Sequence, residues 1–227
     1  MLSHFLLNSP LIFEDRYINI LIIERSSYFY KIVKELHMQS KDLGGEFVLS
    51  DKNITLPLSK NISLITNPFT IDPNERDTIN GLFSKMKIDA MGEELYLDTN
   101  ELILKLEFKL QNIMSRQPMQ LVMENLDMIN LFKIANIKFE ISEPLLEKLC
   151  DYVSILSEYR KIKLFIFINI KSYMTESDLE QFYTFVQYQK INILLIERYS
   201  SNHLKSEKIK IIDEDICEID IEVEKII

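Results

Sequence analysis

Four glycines in 227 residues (Gly44, Gly45, Gly81 and Gly92) argue against a phosphate-cradling loop, because none of them precedes a Lys-Ser or Lys-Thr pair. Three histidines, His4, His37 and His203, stand apart with no second ligand at helical or hairpin spacing, which argues against a histidine-built metal centre. Two cysteines, Cys150 and Cys217, form no C-x-x-C motif and sit among apolar neighbours. The expectation is two buried structural thiols in a reducing compartment, the cytoplasm. No apolar run approaches the ~18 residues of a membrane helix, and residues 1–8 carry neither the basic leader nor the cleavage site of a secretory signal. Basic residues are in deficit as well. Lys and Arg number 26 against 35 Asp and Glu, a formal net charge of −9, so this is not a general nucleic-acid coat protein and any DNA site must be local.

What the chain does have is hydrophobic patterning. With 47% hydrophobic and 27% charged residues it is globular and long enough to bury a substantial core. Apolar runs at 164–169 (LFIFIN) and 193–198 (ILLIER) flank a helix opened by the capping box 175–178 (TESD), with Leu179, Phe182 and Val186 on one face. That order reads as a βαβ unit in an α/β sheet, since near-continuous apolar strands need cover on both faces. An earlier strand over 18–23 is followed by a helix with Phe29, Ile32, Val33 and Leu36 on one side. Short strands are expected at 5–7, 11–13, 47–49, 54–56 and 62–66.

The composition changes at Asp72. Capping boxes at 72–75 (DPNE) and 98–101 (DTNE) open two helices, one burying Ile79, Leu82, Phe83 and Met86 and ending near Gly92, the other carrying Leu102, Leu106, Leu110 and Ile113 and closed by Pro118. No strand separates them, which suggests a helical arm inserted into an α/β head. A helix near 127–134 and an extended 137–141 follow. A further helix, capped by Ser142 and presenting Leu145, Leu149, Val153 and Leu156, suits either part. The last residues alternate Ile219, Ile221 and Val223 with Asp220, Glu222 and Glu224, a strand with one wet face. The expected fold class is α/β, with residues 1–71 and 161–227 forming a discontinuous head and 72–160 a mainly helical leg.

Candidate chemistry is sparse. The turn after the first long strand reads IERSSY over 23–28, with no glycine, no lysine and a phosphate-repelling Glu24. Asn67 and Asn169, at strand ends, supply no acid for magnesium. Glu24 and Glu197 end two of the expected parallel strands but name no reaction, and a salt bridge to Arg25 or Arg198 is the plainer expectation. Asp213 and Asp215 suit either a hard cation or a solvated turn. One positive signal lies on the arm. Lys105, Lys109, Asn112 and Arg116 fall at i, i+4, i+7 and i+11 with no carboxylate interrupting them, a stripe that suits either phosphate tracking or an ordinary solvated face.

A resemblance adds to this reading. The strand ending in Asn169, the helix capped at Thr175, the strand closed by Glu197 and Arg198, and the following Asp213 to Asp215 occur in an order that resembles the DNA-end-binding, tetrameric ring family of type II-A CRISPR-associated spacer-acquisition proteins. The likeness continues through 129–140 (INLFKIANIKFE), 145–159, 20–24 (ILIIE) and 31–33 (KIV), while 73–118 match only in helical character. It implies a degenerate P-loop-NTPase-like sheet in the head, an inserted α-helical leg and no enzymatic activity. It further implies a homotetrameric ring around double-stranded DNA, loaded at ends, that works with the CRISPR integrase proteins and the type II effector nuclease. Lys133 and Lys138 fall where the family pattern has lysine and are expected in the lumen, while Lys105, Lys109 and Arg116 remain a spacing-based assignment. The family's calcium dependence meets a departure here: the stretch 119–127 retains only Glu124 and Asp127, at best a weak calcium site. The rival readings are a degenerate nucleotide-binding enzyme or sensor, and a protein-interaction scaffold of the same fold.

Overall fold

The computed structural model describes residues 1–199 and 203–222. In chain order the elements are β1 (Leu2–Ser3), β2 (Ile18–Ile23), α1 (Ser26–Ser40), β3 (Val48–Asp51), β4 (Ile54–Leu56), α2 (Leu58–Asn61), β5 (Ile62–Ile65), α3 (Arg76–Ala90), α4 (Tyr96–Met114), α5 (Met128–Ile134), α6 (Leu145–Ile155), β6 (Leu164–Ile168), α7 (Glu176–Tyr188), β7 (Ile193–Glu197), β8 (Glu207–Ile212) and β9 (Glu218–Glu222). The fold is mixed α/β. The chain divides into two units, Met1–Asp72 with Ile141–Ile227, and Pro73–Glu140.

The first unit is built on a six-stranded sheet in the order β5-β6-β7-β2-β8-β9. The first five strands run parallel, and β9 returns antiparallel to β8. Alternation along the strands explains why both faces are covered. Ile18, Ile20, Ile22, Phe165 and Phe167 pack with Leu149, Val153, Leu179 and Phe182 of α6 and α7 on one side. Leu21, Ile23, Ile166, Leu194 and Ile196 pack with Ile32 and Leu36 of α1 on the other. That second face is completed by a three-stranded sheet, β1-β3-β4, through Leu2 and Leu49. Each fully buried Leu, Ile or Phe contributes roughly 1.5–3 kcal/mol of transfer free energy, which makes this double-sided core the main source of the unit's stability.

Helix α6 settles the upper boundary of the insert. Leu149, Tyr152 and Val153 are buried in the sheet core, and the Ser63 hydroxyl lies 3.1 Å from Tyr152 Oη. Residues 141–160 therefore belong to the α/β unit and not to the helical leg, a correction to the expected boundary at 160.

In the second unit Thr78, Leu82, Phe83 and Ala90 of α3 are buried, with the Phe83 ring 5.8 Å from that of Phe132 on α5. Its ends are tied by side chain to backbone. Asn74 Nδ2 donates to Phe139 O at 3.1 Å and Asn74 Oδ1 accepts from Phe139 N at 2.8 Å, pairing 137–141 without forming a strand. Asn74 thus does sheet-like bonding in the segment expected as a capping box. Helix α3 starts after Glu75 with no side-chain cap, and α4 starts after Leu95, placing Asp98 inside its first turn where a carboxylate favours the helix dipole.

Other expectations fare unevenly. The box at Thr175 is formed, Asp178 N–H to Thr175 Oγ1 at 3.2 Å and Thr175 N–H to Asp178 Oδ2 at 3.2 Å. Ser142 caps nothing; its hydroxyl donates to Asp151 Oδ2 at 2.6 Å, and α6 begins after Pro144. The expected strands at 5–7 and 11–13 are replaced by β1 and a single bridge from Leu2 to Leu11. Cys150 is half-buried, its thiol pushed up to about 11 by burial, whereas Cys217 is exposed beyond the β8–β9 turn, so only the first approaches the expected buried thiol. The closing strand keeps its expected wet side at Asp220 and its apolar side at Ile221, which packs against the core, but not along its whole length. Ile219 is exposed, while the Glu218 side chain is buried against Lys210. Val223 and Glu224 lie outside the described residues.

Candidate nucleic-acid interface

The helical unit carries all five basic residues expected to meet DNA, and all five are exposed. Lys105 and Lys109 lie on one face of α4, as their i, i+4 spacing requires. Arg116 falls outside the stripe's logic, because α4 ends at Met114 and Arg116 sits in the turn beyond it. Lys105 is also not a bare cation, since its Nζ pairs with the Glu101 carboxylate one turn earlier. Both side chains are well exposed, so the pair contributes at most a few tenths of a kcal/mol and yields readily to a phosphate. Lys133 occupies the last turn of α5, where a cation suits the helix C-terminus, and Lys138 follows the turn that closes it.

Of the two residues expected as a weak calcium site, Asp127 is otherwise employed. Asp127 Oδ1 accepts from Ile129 N–H at 2.6 Å, capping α5, and Asp127 Oδ2 accepts from Lys87 Nζ at 2.7 Å. The Lys87 hydrogen bond, then that of Ile129, holds its carboxyl below the usual carboxylate range. Glu124 is exposed. Among the described residues no group of three His, Cys, Asp or Glu side chains could hold a metal. A calcium ion at Asp127 would have to displace a lysine, and these residues do not fit one.

The carboxyl ends of β2, β6 and β7 form the crevice where open α/β sheets hold ligands. Here a side chain occupies it. Arg198 Nη1 donates to Ile23 O at 3.3 Å and its Nη2 to the Ser26 hydroxyl, laying the guanidinium over the β2–α1 turn. Arg198 N–H donates to Asn169 Oδ1 at 3.0 Å, with Asn169 itself in the left-handed region at φ 52°. Glu197 makes no salt bridge to Arg198. It is 4% exposed, accepts from Lys171 N–H at 3.2 Å, and burial pushes its carboxyl up to about 7. Asp213 forms the β8–β9 turn, Oδ1 accepting from Asp215 N at 3.0 Å and Cys217 N at 2.7 Å, which is the turn reading and not the cation one.

Three polar clusters left little signal in the sequence. Lys171 pairs with Glu207 under α7, and Lys210 pairs with Glu218 and Asp220 across the β8–β9 ladder. Buried His4 donates from Nε2 to Glu35 at 3.1 Å while its Nδ1 accepts from Leu6 N–H. None of the three is marked by local pattern: Lys210 lies in a strand, EKIKII, that carries Glu207 and Lys208 as well.

No helix of the described residues is long and apolar enough to cross a membrane. No curated protein matches the chain. Among solved structures it is similar to the ATP-binding cassette MJ0796 in a dimeric post-hydrolysis state bound to ADP and Pi, with 11% identity, a TM-score of 0.42, and coverage of 94% of this chain and 89% of that one. The model of the family described as CRISPR-associated protein (Cas_Csn2) matches residues 39–216, more than half of the sequence. The chain therefore belongs to the Cas_Csn2 family of CRISPR-associated proteins.

Proposed function

We propose that this protein is a non-enzymatic, DNA-end-binding ring that assists spacer acquisition, a homotetramer acting in the cytoplasm with the CRISPR integrase proteins and the type II effector nuclease. One observation carries the assembly. Helix α4 buries only Thr99, while Leu97, Leu102, Leu104, Phe108 and Ile113 are exposed along it. So much apolar surface on one helix calls for cover, and copies of the same chain related by closed symmetry supply it without leaving an open edge. The basic residues share this unit, so closing it on itself would gather Lys105, Lys109, Lys133 and Lys138 from every protomer around one axis. An acidic chain could then present a basic lumen.

Catalysis is no part of the proposal. The head is read as a degenerate P-loop-type sheet, on the grounds that the β2–α1 turn has no glycine and Arg198 lies where a phosphate would sit. Glu197, a strand-end acid with a displaced pKa, faces backbone N–H groups of Ile170 and Lys171. No nucleotide is assigned to the crevice at the carboxyl ends of the strands, and no calcium ion to Glu124 and Asp127. Light scattering at low micromolar concentration tests the assembly. The expected mass is that of four 26.9 kDa chains, and a strictly monomeric mass would remove the ring.

A further inference from the structure

At the amino-terminal ends of the parallel strands, away from the crevice filled by Arg198, the first unit has a second concavity. It is a cavity of about 330 Å³, within the size range of small-molecule sites, formed where the small sheet, the lead into β6 and the lead into β7 converge. Its charge is the reverse of the chain's. Lys161, Lys163 and Lys190 line it against a single carboxylate, Asp51, on a protein of net charge −9. Among the described residues neither Lys163 nor Lys190 pairs with a carboxylate, and Lys161 reaches Glu158 only at 4.0 Å.

The backbone presents two of these lysines in an uncommon way. Lys161 and Lys190 both adopt left-handed conformations, φ 58° and 54°, just after helical segments end. Glycine or asparagine takes that position at least cost. Lysine there is helped by the carbonyls of the helix end, an explanation that does not extend to Lys163, which lies beyond both helix termini and whose N–H donates to Asn61 O at 2.8 Å. All three lysines are exposed residues of the pocket lining, open to an anion from solvent. Between them the walls are mixed, with Leu49, Leu56 and Ile191 apolar and Ser50, Ser157 and Asn192 polar.

We propose that this pocket binds a small phosphate monoester, its phosphate among Lys161, Lys163 and Lys190 and its organic body against Leu49, Leu56 and Ile191. A phosphate monoester carries close to two negative charges and three strong acceptor oxygens, which matches three point-charge donors better than a carboxylate with one charge and two oxygens. The pocket is distinct from the basic face of the helical unit, and its occupancy does not depend on whether the chain encircles DNA.

Lysine footprinting on the full chain tests it. Acetylation rates of individual lysines are read by mass spectrometry with adenosine monophosphate, inorganic phosphate, adenosine or a linear duplex present at up to about 10 mM of the small ligands, enough to detect millimolar affinity. Adenosine monophosphate should slow acetylation of Lys161, Lys163 and Lys190 roughly threefold or more and leave Lys105, Lys109, Lys133 and Lys138 unchanged, with inorganic phosphate weaker and adenosine without effect. The double variant Lys163→Ala with Lys190→Ala should lose about tenfold in calorimetric affinity for adenosine monophosphate at unchanged melting temperature. No protection at the three pocket lysines, or equal protection of all lysines, overturns the proposal. So does protection of the pocket lysines by duplex but not by the monophosphate, which would assign the patch to DNA.

Discussion

Lys171 Nζ lies 2.7 Å from Glu207 Oε1, with the two side chains 7% and 0% exposed. The Tyr183 hydroxyl donates to the same oxygen at 2.9 Å, and Leu204 N–H donates to Oε2 at 3.2 Å. One carboxylate thus joins the segment after β6, helix α7 and the start of β8. Removing the cation alone leaves a buried charge uncompensated, so Lys171→Met should cost about 3–5 kcal/mol in urea unfolding. The double variant Lys171→Met with Glu207→Gln should recover most of that loss. A single variant within a few tenths of a kcal/mol of wild type would show that Tyr183, the backbone and His203, whose Nδ1 lies 3.8 Å from Glu207 Oε2, hold Glu207 without Lys171.

Glu197 gives the protein a pH dependence of definite sign. Burial raises its folded value to about 7 from an ordinary 4.5, so between those values the folded state holds a proton that the unfolded state has released. Its contribution is fully present below 4.5 and is lost as pH rises through about 7, to the order of 3 kcal/mol. Glu197→Gln keeps an oxygen for the Lys171 N–H and should flatten the fall in stability between about pH 4.5 and 7.5. An unchanged pH profile in the variant would assign the titration to another group.

Asp127 should behave as a helix cap and not as a calcium ligand. Asp127→Ala should lower stability by about 1 kcal/mol, Asp127→Asn by less because its side-chain oxygen can still accept from Ile129 N–H. A chelator should leave the melting temperature of the wild-type protein unchanged. Loss of stability on chelation that is absent from Asp127→Ala would restore a metal role to this residue.

DNA affinity should come from phosphate neutralisation and ignore base sequence. Lys133→Glu with Lys138→Glu, and separately Lys105→Glu with Lys109→Glu, should weaken binding to every duplex alike and reduce the salt slope by roughly one for each phosphate that is no longer neutralised. Lys105→Glu also places a carboxylate beside Glu101, a helix penalty of only about 0.3 kcal/mol, so weakened binding would not reflect unfolding. Variants that discriminate among sequences would contradict a lumen that reads only the backbone.

The parts of this fold that were legible in sequence are those fixed by period and local bonding. The runs at 18–23, 164–168 and 193–197 could satisfy both sheet faces in only one way, and Thr175 with Asp178 is a bond between residues three apart. What was illegible depended on partners distant in sequence. Asn74 ties the segment expected as a capping box to Phe139, with α3 starting only after Glu75, Ser142 turns to Asp151, and α6 joins the head because Tyr152 and Leu149 find the sheet. At the site the same division holds. The spacing of Lys105 and Lys109 needs only a helix, whereas Arg116 lay beyond an end that Pro118 does not itself fix, and Asp127's engagement with Lys87 spans 40 residues.

Threading on DNA, the centre of the proposed function, is tested most directly by topology. Linear duplex and covalently closed circles of the same sequence are competed for the protein at equal base-pair concentration, with a third sample of linear duplex blocked at both ends by bulky adducts. A ring requires an end, so linear duplex should compete while closed circles and blocked fragments compete poorly at every salt concentration. Closed circles that compete as well as open linear duplex would contradict the ring and leave a surface groove on the helical unit as the way this protein meets DNA.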